Sequence, residues 1–425
     1  MFGRNRKKTE VLVVGAGPSG LLTALLLDRE GVDVEVVDRA WRATARSYAA
    51  ALHPTTLSLL DELGLAKQVV SAAHRIDRLA LYDGSERRAE VDFAALPGLF
   101  PYVAVLPQSI LESVLEKELQ SRGRSVHWLH RLGSFEQDED RVVAEVDVLE
   151  SVPGGYAVAA QGMEVAKTLS IETHLLIGAD GYRSLVRRQL GIEFESWGEV
   201  EAFDVFEFES DDDAAGEVRV VLDDRSSNVL WTLPGGRQRW SFQVLGATTN
   251  DRDRVKSRLM MAVPGESSPR FTENLLHELV SERAPWFKKQ RLGDIAWAGD
   301  VSFERRLAKQ LGRDRIWLVG DAVHQTGPVG VQSMNVGLLE ARRLARVVCD
   351  AIRGKAGPEA FDGYVQSCVP GWCRLLGIQD LFVAREGTSD WIKDRLDRLT
   401  SCLPVSGEDL ALVGRQLGLG ITGED

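Results

Sequence analysis

The sequence has few cysteines, no long apolar run and no excess of positive charge. Its four cysteines all lie in the last quarter of the 425 residues, without the C-x-x-C spacing of redox or zinc motifs. Neither a disulfide framework nor a metal site is therefore expected. No apolar stretch reaches the length of a membrane-spanning helix, and a net charge of −12 argues against nucleic acid and anionic membranes as partners. We expect a protein of the reducing cytoplasm.

Two familiar kinds of catalytic motif are also absent. The chain has no Ser-His-Asp arrangement and no His-Glu-x-x-His sequence, so hydrolysis and metal catalysis have no support. His53 and Tyr82 are titratable residues that could relay a proton. His324 could contact a ligand, although a packing or turn-bonding role is favoured for it. No catalytic residue is assigned from the sequence.

The most informative feature that is present is a glycine-rich motif, GAGPSG, at residues 15–20. It directly follows Val11–Val14, an apolar β-branched run that predicts a buried parallel strand. Gly15 permits a tight turn, Gly17 lets backbone approach a pyrophosphate, and Gly20 lets the next helix lie close to the strand. The motif is completed by Ala16, Pro18 and Ser19.

The residues that follow this motif make it more specific. Leu21–Arg29 has the apolar spacing of a helix, and Val32–Val37 has the pattern of a second buried strand that ends at Asp38. An acid at that distance from the glycines is typical of a residue that binds ribose, and the helix N-terminus favours phosphate. Together these elements predict a dinucleotide-binding site.

Two further strand ends carry aspartates. The predicted strand Leu175–Gly178 leads to Asp180, and the predicted strand Arg315–Val319 leads to Asp321. Ligands of open α/β sheets bind at the carboxyl ends of strands, where both aspartates would lie. A helix is predicted to begin near Gln332, and its N-terminal amides would favour negative charge on a nearby ligand.

These three ordered motifs resemble those of the flavoprotein aromatic hydroxylases, the family typified by para-hydroxybenzoate hydroxylase. The resemblance spans about residues 10–350. It implies an α/β fold, with a Rossmann-type FAD-binding domain, an interlocked β-sheet substrate domain and C-terminal helices. It also implies NADPH or NADH as reductant, O2 as co-substrate and oxygen transfer from a flavin C4a-hydroperoxide.

The resemblance also assigns residues to the cofactor. The turn at residues 15–20 would bind the pyrophosphate and Asp38 the adenosine ribose. The other FAD-binding residues that it implies are Arg39, Arg46, Gln108, Asp180, Asp321, Pro328, Gly330, Gln332 and Asn335.

One position departs from the family pattern. Ser333 stands where the flavin loop usually has its second glycine. Serine would be strained there if the position required a positive φ. The alternative is that the loop is rebuilt around Val331 and Ser333 in an ordinary conformation, and we favour this alternative because no sequence feature demands a strained serine.

The predicted domains are discontinuous. Residues 1–75, 105–190 and 295–358 are expected to form the FAD-binding domain, residues 76–104 and 195–294 the substrate domain, and residues 359–425 a C-terminal helical region. Strands are predicted at Ser134–Gln137, Val142–Leu149, Tyr156–Ala160, Phe203–Phe208, Val218–Leu222, Asn228–Leu233 and Arg239–Leu245. The aromatic residues of the substrate domain could line a pocket, but a core position is favoured for Phe203, Phe206, Phe208, Trp231, Trp240 and Phe242.

The predicted function is FAD-dependent hydroxylation or epoxidation of an aromatic or polycyclic small molecule. An FAD-dependent halogenase or reductase of the same fold is an alternative, although the WxWxIP motif of halogenases is absent. A flavin-fold protein that binds without turnover is another, supported only by Ser333. The identity of the substrate, the choice between NADPH and NADH and the oligomeric state are not predicted.

Overall fold

The computed structural model describes residues 7–41, 49–152, 162–210, 216–245, 270–288, 291–379 and 381–422. The strands in chain order are β1 (Lys7–Val14), β2 (Val34–Val37), β3 (Ala49–Leu52), β4 (His74–Ile76), β5 (Arg78–Asp83), β6 (Glu86–Asp92), β7 (Val103–Pro107), β8 (Val126–His127), β9 (His130–Gln137), β10 (Val142–Val152), β11 (Gly162–Gly178), β12 (Phe194–Ser196), β13 (Glu201–Glu209), β14 (Glu217–Leu222), β15 (Ser227–Leu233), β16 (Arg237–Val244), β17 (Ile295–Phe303), β18 (Arg306–Ala308), β19 (Gly312–Arg313), β20 (Ile316–Leu318), β21 (His324–Gln325), β22 (Phe382–Ala384) and β23 (Leu419–Ile421).

The α-helices are α1 (Pro18–Arg29), α2 (Pro54–Glu62), α3 (Ala66–Ser71), α4 (Gln108–Ser121), α5 (Leu185–Gln189), α6 (Glu273–Arg283), α7 (Gln332–Ile352), α8 (Glu359–Leu375), α9 (Asp390–Lys393), α10 (Leu396–Cys402) and α11 (Glu408–Gln416). Short 3-10 turns lie at Phe93–Ala95 and Gly320–Ala322.

The first sheet has a parallel centre in the order β20-β11-β1-β2-β8. Val11–Val14 of β1 is buried. It lies in one core with helix α1, which packs on β1, and with α4 and α7, which pack on α1. A strand buried in this way is apolar on both faces. Strands β9, β10 and β19 extend the sheet in antiparallel fashion. The α/β class and the strands and helices predicted around the three motifs are confirmed.

The second sheet has the order β17-β13-β16-β15-β14-β5-β6, and only its β14 and β5 pair is parallel. One face packs against α6 through a cluster of buried aromatic rings, with Trp240 stacked on Phe242 at 4.9 Å between centroids. The other face, with Phe203 and Trp231, packs against the C-terminal region. The core interpretation of the six aromatic residues is therefore confirmed. The predicted run Tyr156–Ala160 lies outside the described residues.

The structure differs from the predicted domain organisation at two places. Strand β17 pairs with β13, so residues 295–303 belong with the second sheet and not with residues 304–358. The C-terminal region is not entirely helical, because β22 and β23 pair as a short antiparallel ribbon. Each of these three strands pairs with one strand that is far away in the sequence, so no local hairpin pattern indicated them. The cysteines Cys349, Cys368, Cys373 and Cys402 are buried free thiols.

The loop that enters α7 contains one unusual backbone conformation. Ser333 lies inside α7, and its Oγ accepts a hydrogen bond from the Thr326 amide at 2.8 Å. The positive φ falls instead on Val331, which caps the helix with φ 51° and ψ 42°. The expected ordinary conformation of Ser333 is confirmed. The strain of the loop lies two residues earlier, on a β-branched side chain that disfavours this region.

We expect opposite effects of glycine at these two positions. Val331→Gly should be more stable than Val331→Ala by about 1 kcal/mol, because both variants lose the same packing but only glycine relieves the left-handed strain. Ser333→Gly should be less stable than the wild type by about 1 to 2 kcal/mol, through the lost hydrogen bond and the added freedom of the unfolded chain. Urea denaturation at equal FAD occupancy measures both. A Val331→Ala variant that is the more stable of the pair would contradict the strain.

Candidate active site

The turn at residues 15–20 is closely packed at two of its glycines and open at the third. A Cβ at Gly15 (φ 109°) would lie 2.2 Å from the Ala179 carbonyl oxygen, and one at Gly20 would lie 2.0 Å from the Gly15 oxygen. A Cβ at Gly17 would meet no heavy atom within 4 Å. Glycine is therefore required by packing at two positions. At Gly17 the absent side chain leaves the N-terminus of α1 open, where a phosphate is favoured.

Asp38 lies beside this turn and is held by two backbone amides. Its Oδ2 accepts a hydrogen bond from the Ala16 amide and its Oδ1 accepts one from the Ala40 amide, both at 2.7 Å. The carboxylate is thus fixed in orientation while carboxylate lone pairs remain for further donors. Arg39 lines the same cleft. Arg46, which the family resemblance also assigned to the cofactor, lies outside the described residues.

One carboxylate oxygen of Asp180 accepts hydrogen bonds within the protein, and the other has no donor in the described part of the chain. Its Oδ2 accepts hydrogen bonds from the amides of Leu185 at 2.6 Å and Val186 at 3.2 Å, at the start of α5. Its Oδ1 is buried and has no hydrogen-bond partner among the described residues. Burial raises the pKa of this carboxyl above its ordinary value. A buried acceptor without a donor is costly, so a ligand hydroxyl beside Asp180 would be stabilising.

Asp321 projects into the same cleft from the end of β20. The surrounding protein raises the pKa of its carboxyl by desolvation, with His324 acting against that shift and Glu340 acting with it. His324 Nε2 lies 2.6 Å from a Glu340 carboxylate oxygen, and both side chains are fully buried. The indole of Trp372 donates to the other Glu340 oxygen and stacks on the His324 ring. His324 therefore has the packing and bonding role that was favoured for it.

The residues around these aspartates enclose a cleft of about 910 Å³. Residues assigned from the sequence make up much of its lining: Gly15, Gly17, Pro18, Ser19, Asp38, Arg39, Gln108, Asp180 and Asp321. Sequence reasoning missed other lining residues, namely Glu112, His130, Arg131, Gly133, Asp147, Tyr182, Arg183 and Met334. Several of these lie on β9 and β10, which the tertiary fold brings back to the cleft and which no local motif marks.

Asn335 and Gln332, which the family resemblance assigned to the cofactor, bond other parts of the protein with their side chains. The Asn335 side chain donates to the Ala51 carbonyl at 2.7 Å and accepts from the His53 amide at 2.8 Å. The Gln332 side chain donates to two carbonyls of the C-terminal region, those of Thr400 and Leu403. Neither residue lines the cleft in this structure.

Gly330 and Pro328 lie in the same loop and are also absent from the cleft lining. The Gly330 amide donates to the Ser401 carbonyl at 3.0 Å, and a Cβ at Gly330 would lie 2.7 Å from the carbonyl oxygens of Ser401 and Leu403. The backbone amide of Gly330 and the side chains of Gln332 and Asn335 thus hold this segment against both β3 and α10.

A second cavity, of about 750 Å³, lies at the ends of the second sheet. We call it the sheet-end cavity. Its lining includes Glu199, Glu201, Arg225, Gln243, Arg305, Gly327, Val329, Leu376, Asp397, Arg398 and Thr400. Gly327 and Val329 line this cavity, whereas Asp321 and Met334 line the cleft. Residues 321–334 therefore border both spaces.

The buried side chain of His53 bonds the loop at Gly330. It forms no hydrogen bond with Tyr82 in the described part of the chain, although the sequence allowed both to relay a proton. Its Nε2 lies 3.0 Å from the Gly330 carbonyl oxygen and its Nδ1 lies 3.2 Å from the Ser406 hydroxyl. Because a carbonyl only accepts, Nε2 carries the proton and Nδ1 accepts from the hydroxyl. Complete burial lowers the pKa of His53 to about 3. Tyr82 is stacked on Trp286 in the aromatic cluster at α6, so the two residues form no relay.

The buried neutral state of His53 predicts a pH effect on stability. Its pKa is about 3 in the folded protein against an ordinary 6.5, so its contribution is complete above the higher value and is lost as the pH falls toward the lower one. The wild type should lose about 1.4 kcal/mol more per pH unit than His53→Gln in the range from about pH 6 to 4. Denaturation curves at several pH values measure this difference. The exposed His174→Gln should follow the wild type, and equal slopes for all three proteins would contradict the assignment.

Known proteins match most of the chain. A family model described as FAD binding domain matches residues 8–375. Pentachlorophenol 4-monooxygenase from Sphingobium chlorophenolicum is 25% identical over 393 residues, covering 91% of this chain and 67% of that protein. Para-nitrophenol 4-monooxygenase from Pseudomonas sp. (strain WBC-3) is 28% identical over 374 residues, covering 83% and 81%.

A solved structure agrees with these sequence matches. The crystal structure of p-nitrophenol 4-monooxygenase PnpA from Pseudomonas putida DLL-E4 has a TM-score of 0.70 and 22% identity, and the alignment covers 97% of each chain. This chain spans only 60% to 67% of the length of several curated relatives, pentachlorophenol 4-monooxygenase among them. The open turn at Gly17 and the unpartnered Asp180 oxygen fit FAD. The chain belongs to the FAD binding domain family, among the flavoprotein aromatic hydroxylases that its three motifs resemble.

Proposed function

We propose that the protein is an FAD-dependent monooxygenase that hydroxylates or epoxidises an aromatic or polycyclic small molecule, with NADPH or NADH as reductant. The observation that carries the proposal is the pair of cavities on either side of residues 321–334. One is lined by the dinucleotide-binding turn and the other by the ends of a separate sheet. Such an arrangement lets a cofactor and a substrate be held by different parts of the fold while sharing one wall.

The first cavity supplies contacts for each part of FAD. The turn at residues 15–20 would bind the pyrophosphate, Asp38 the ribose, and Asp180 and Asp321 hydroxyls of the cofactor. Gln332, Asn335 and Gly330 would act as positioning residues, because their contacts hold the shared wall. Arg39 and Gln108 line the cleft and would contribute to binding. When bound, FAD supplies hydride acceptance and oxygen activation.

The protein's own part in the reaction is positioning and charge stabilisation. The amides at the N-terminus of α7 are close in sequence to Met334, which lines the cleft. Their partial positive charge would favour negative charge on the cofactor. The sheet-end cavity would hold the ring to be oxygenated and keep water away from it.

The sheet-end cavity favours a large ligand without net charge. Its volume of about 750 Å³ lies in the upper part of the range for drug-sized ligands, about 300 to 1,000 Å³. Its lining carries three acids, Glu199, Glu201 and Asp397, and three arginines, Arg225, Arg305 and Arg398. Relatives are named for substrates from para-nitrophenol to 6-methylpretetramide. We infer an uncharged polycyclic substrate.

The alternative functions, a halogenase or reductase of the same fold and a flavin-fold protein without turnover, have no comparable support in the structure. Ser333 was the only residue that favoured a flavin-fold protein without turnover, and it is accommodated in α7 with a hydrogen bond to Thr326. No described residue favours a halogenase over a monooxygenase. The relatives that match most of the chain are named as monooxygenases.

Oxygen consumption by the FAD-loaded protein tests the function. We expect NADH or NADPH to be oxidised with O2 uptake that increases on addition of polycyclic aromatic compounds. With ¹⁸O2, one labelled oxygen atom should appear in the product by mass spectrometry. Reduction of FAD without any labelled product, over a broad panel of aromatic compounds, would contradict monooxygenase activity.

A substitution at Asp321 tests the assignment of the cofactor cleft. Loss of a charged hydrogen-bond partner costs about 1.5 to 3 kcal/mol, so Asp321→Ala should weaken FAD binding by roughly ten- to a hundredfold. The matched control is Asp61→Ala on α2, an exposed position that removes the same charge. Titration of the apoprotein with FAD, followed by flavin fluorescence, measures both. Equal FAD affinity of the two folded variants would show that Asp321 does not contact the cofactor.

A further inference from the structure

The sheet-end cavity contains one acid–base pair that the strands bring together from distant parts of the sequence. Glu201 opens β13 and pairs with Phe303 at the end of β17, which places Arg305 beside it. Glu201 Oε1 lies 3.6 Å from Arg305 Nε. A Cβ on Gly327 would lie 2.6 Å from Glu201 Oε2. The carboxylate therefore reaches the wall between the two cavities.

This pair has unused hydrogen-bonding capacity. In the part of the chain that the structure describes, Arg305 is the one cationic group that forms an ion pair with the Glu201 carboxylate, and their separation of 3.6 Å is longer than a hydrogen bond. The enclosed Nε of Arg305 has no hydrogen-bond partner among the described residues. Arg398 of the same cavity differs, because it donates to the carbonyls of Asp223 and Ser226. A half-buried acceptor and donor side by side fit a ligand group that both donates and accepts.

We propose that Glu201 and Arg305 recognise a hydroxyl group on the aromatic ring of the substrate, and that Glu201 accepts its proton as the ring is oxygenated. The proposal rests on the proposed monooxygenase function. The hydroxyl donates to the Glu201 carboxylate and its oxygen accepts from the Arg305 guanidinium. The substrate class is thus a phenol or a hydroxylated polycyclic compound.

The proton transfer needs no oxidant or base other than those already named. As oxygen transfer from the reaction proposed above draws electrons from the ring, the O–H bond breaks, its electron pair moves toward the ring and its proton passes to Glu201. When the ring regains aromaticity, the proton of the attacked carbon leaves to solvent and Glu201 returns its proton to the oxygen. Between the two steps that oxygen is a neutral carbonyl, which accepts a hydrogen bond from Arg305. Arg305 stabilises the negative charge that the oxygen carries while the O–H bond breaks and again while the proton of the attacked carbon leaves.

The surroundings of Glu201 suit a base for a weakly acidic hydroxyl. Burial raises the pKa of Glu201 above the ordinary glutamate value, against the opposing charge of Arg305. A higher pKa of the carboxyl lies closer to the pKa of the hydroxyl whose proton it accepts, and this favours the transfer. The other charged groups of the cavity are Glu199, Arg225, Asp397 and Arg398. Burial first, and Glu201 next, raise the pKa of the Cys402 thiol to about 12, so the thiol stays neutral.

A pair of probes that differ only in the hydroxyl tests the proposal. The FAD-loaded oxidised protein is titrated with 1-naphthol and with 1-methoxynaphthalene, without NAD(P)H, and binding is followed by the absorbance change of the flavin. The wild type should bind 1-naphthol at least about tenfold more tightly, as expected for a charge-assisted hydrogen bond. Glu201→Gln should reduce this preference to about threefold or less. Glu195→Gln, which removes the same charge from strand β12 outside the cavity, should keep it.

The pH dependence of the preference separates recognition by Glu201 from a structural effect. The carboxylate acceptor is present above the pKa of Glu201, so the preference should fall as the pH is lowered through that pKa. In Glu201→Gln it should not vary with pH. Lack of a preference in the wild type, including failure of 1-naphthol to bind, would overturn the proposal, and so would the same preference in Glu201→Gln. A wild type without labelled product would instead refute the monooxygenase function on which the proposal rests.

Discussion

The hydrogen bonds around residues 327–335 hold the two halves of the site in one arrangement. Gly330 donates to the Ser401 carbonyl, and Asn335 bonds both the Ala51 carbonyl and the His53 amide. The segment is thereby fixed from the FAD-binding side and from the C-terminal region at once. Since this segment borders both cavities, its position would set the separation between the cofactor and the substrate that we propose for them. Small displacements of reacting groups have large effects on rate, so this wall is where rigidity matters most.

The parts of the site that could be predicted from the sequence are those whose chemistry is local. Gly20 is required by the Gly15 carbonyl of the same strand–turn–helix unit, and Asp38 bonds an amide of that turn. Asp180 and Asp321 follow predicted strands directly, so their place at the sheet edge was implied by the strand pattern. Each such residue lies in or directly after a strand or turn whose pattern the sequence shows.

The rest could not be predicted because its partners are far away along the chain. Gln332 and Asn335 were expected at the cofactor, but their side chains bond Thr400, Leu403 and Ala51. The strands β9 and β10 reach the cleft only through tertiary pairing. Glu201 and Arg305 are separated by 104 residues and meet because β13 pairs with β17, a strand that was assigned to the other domain. Periodicity indicates that a strand exists, but it does not indicate which strand it pairs with.

In the flavin loop, the left-handed backbone conformation and the position of Ser333 do not coincide. The left-handed residue of the loop is Val331, which leaves Ser333 free to take a helical conformation and bond Thr326. A β-branched residue stays left-handed only when its surroundings determine its conformation. Here Gly330 and Gln332, on either side of Val331, are both bonded to the C-terminal region. The strain at Val331 is thus maintained by contacts that also position the shared wall. The C-terminal region is therefore part of the proposed active site, although none of the three motifs lies in it.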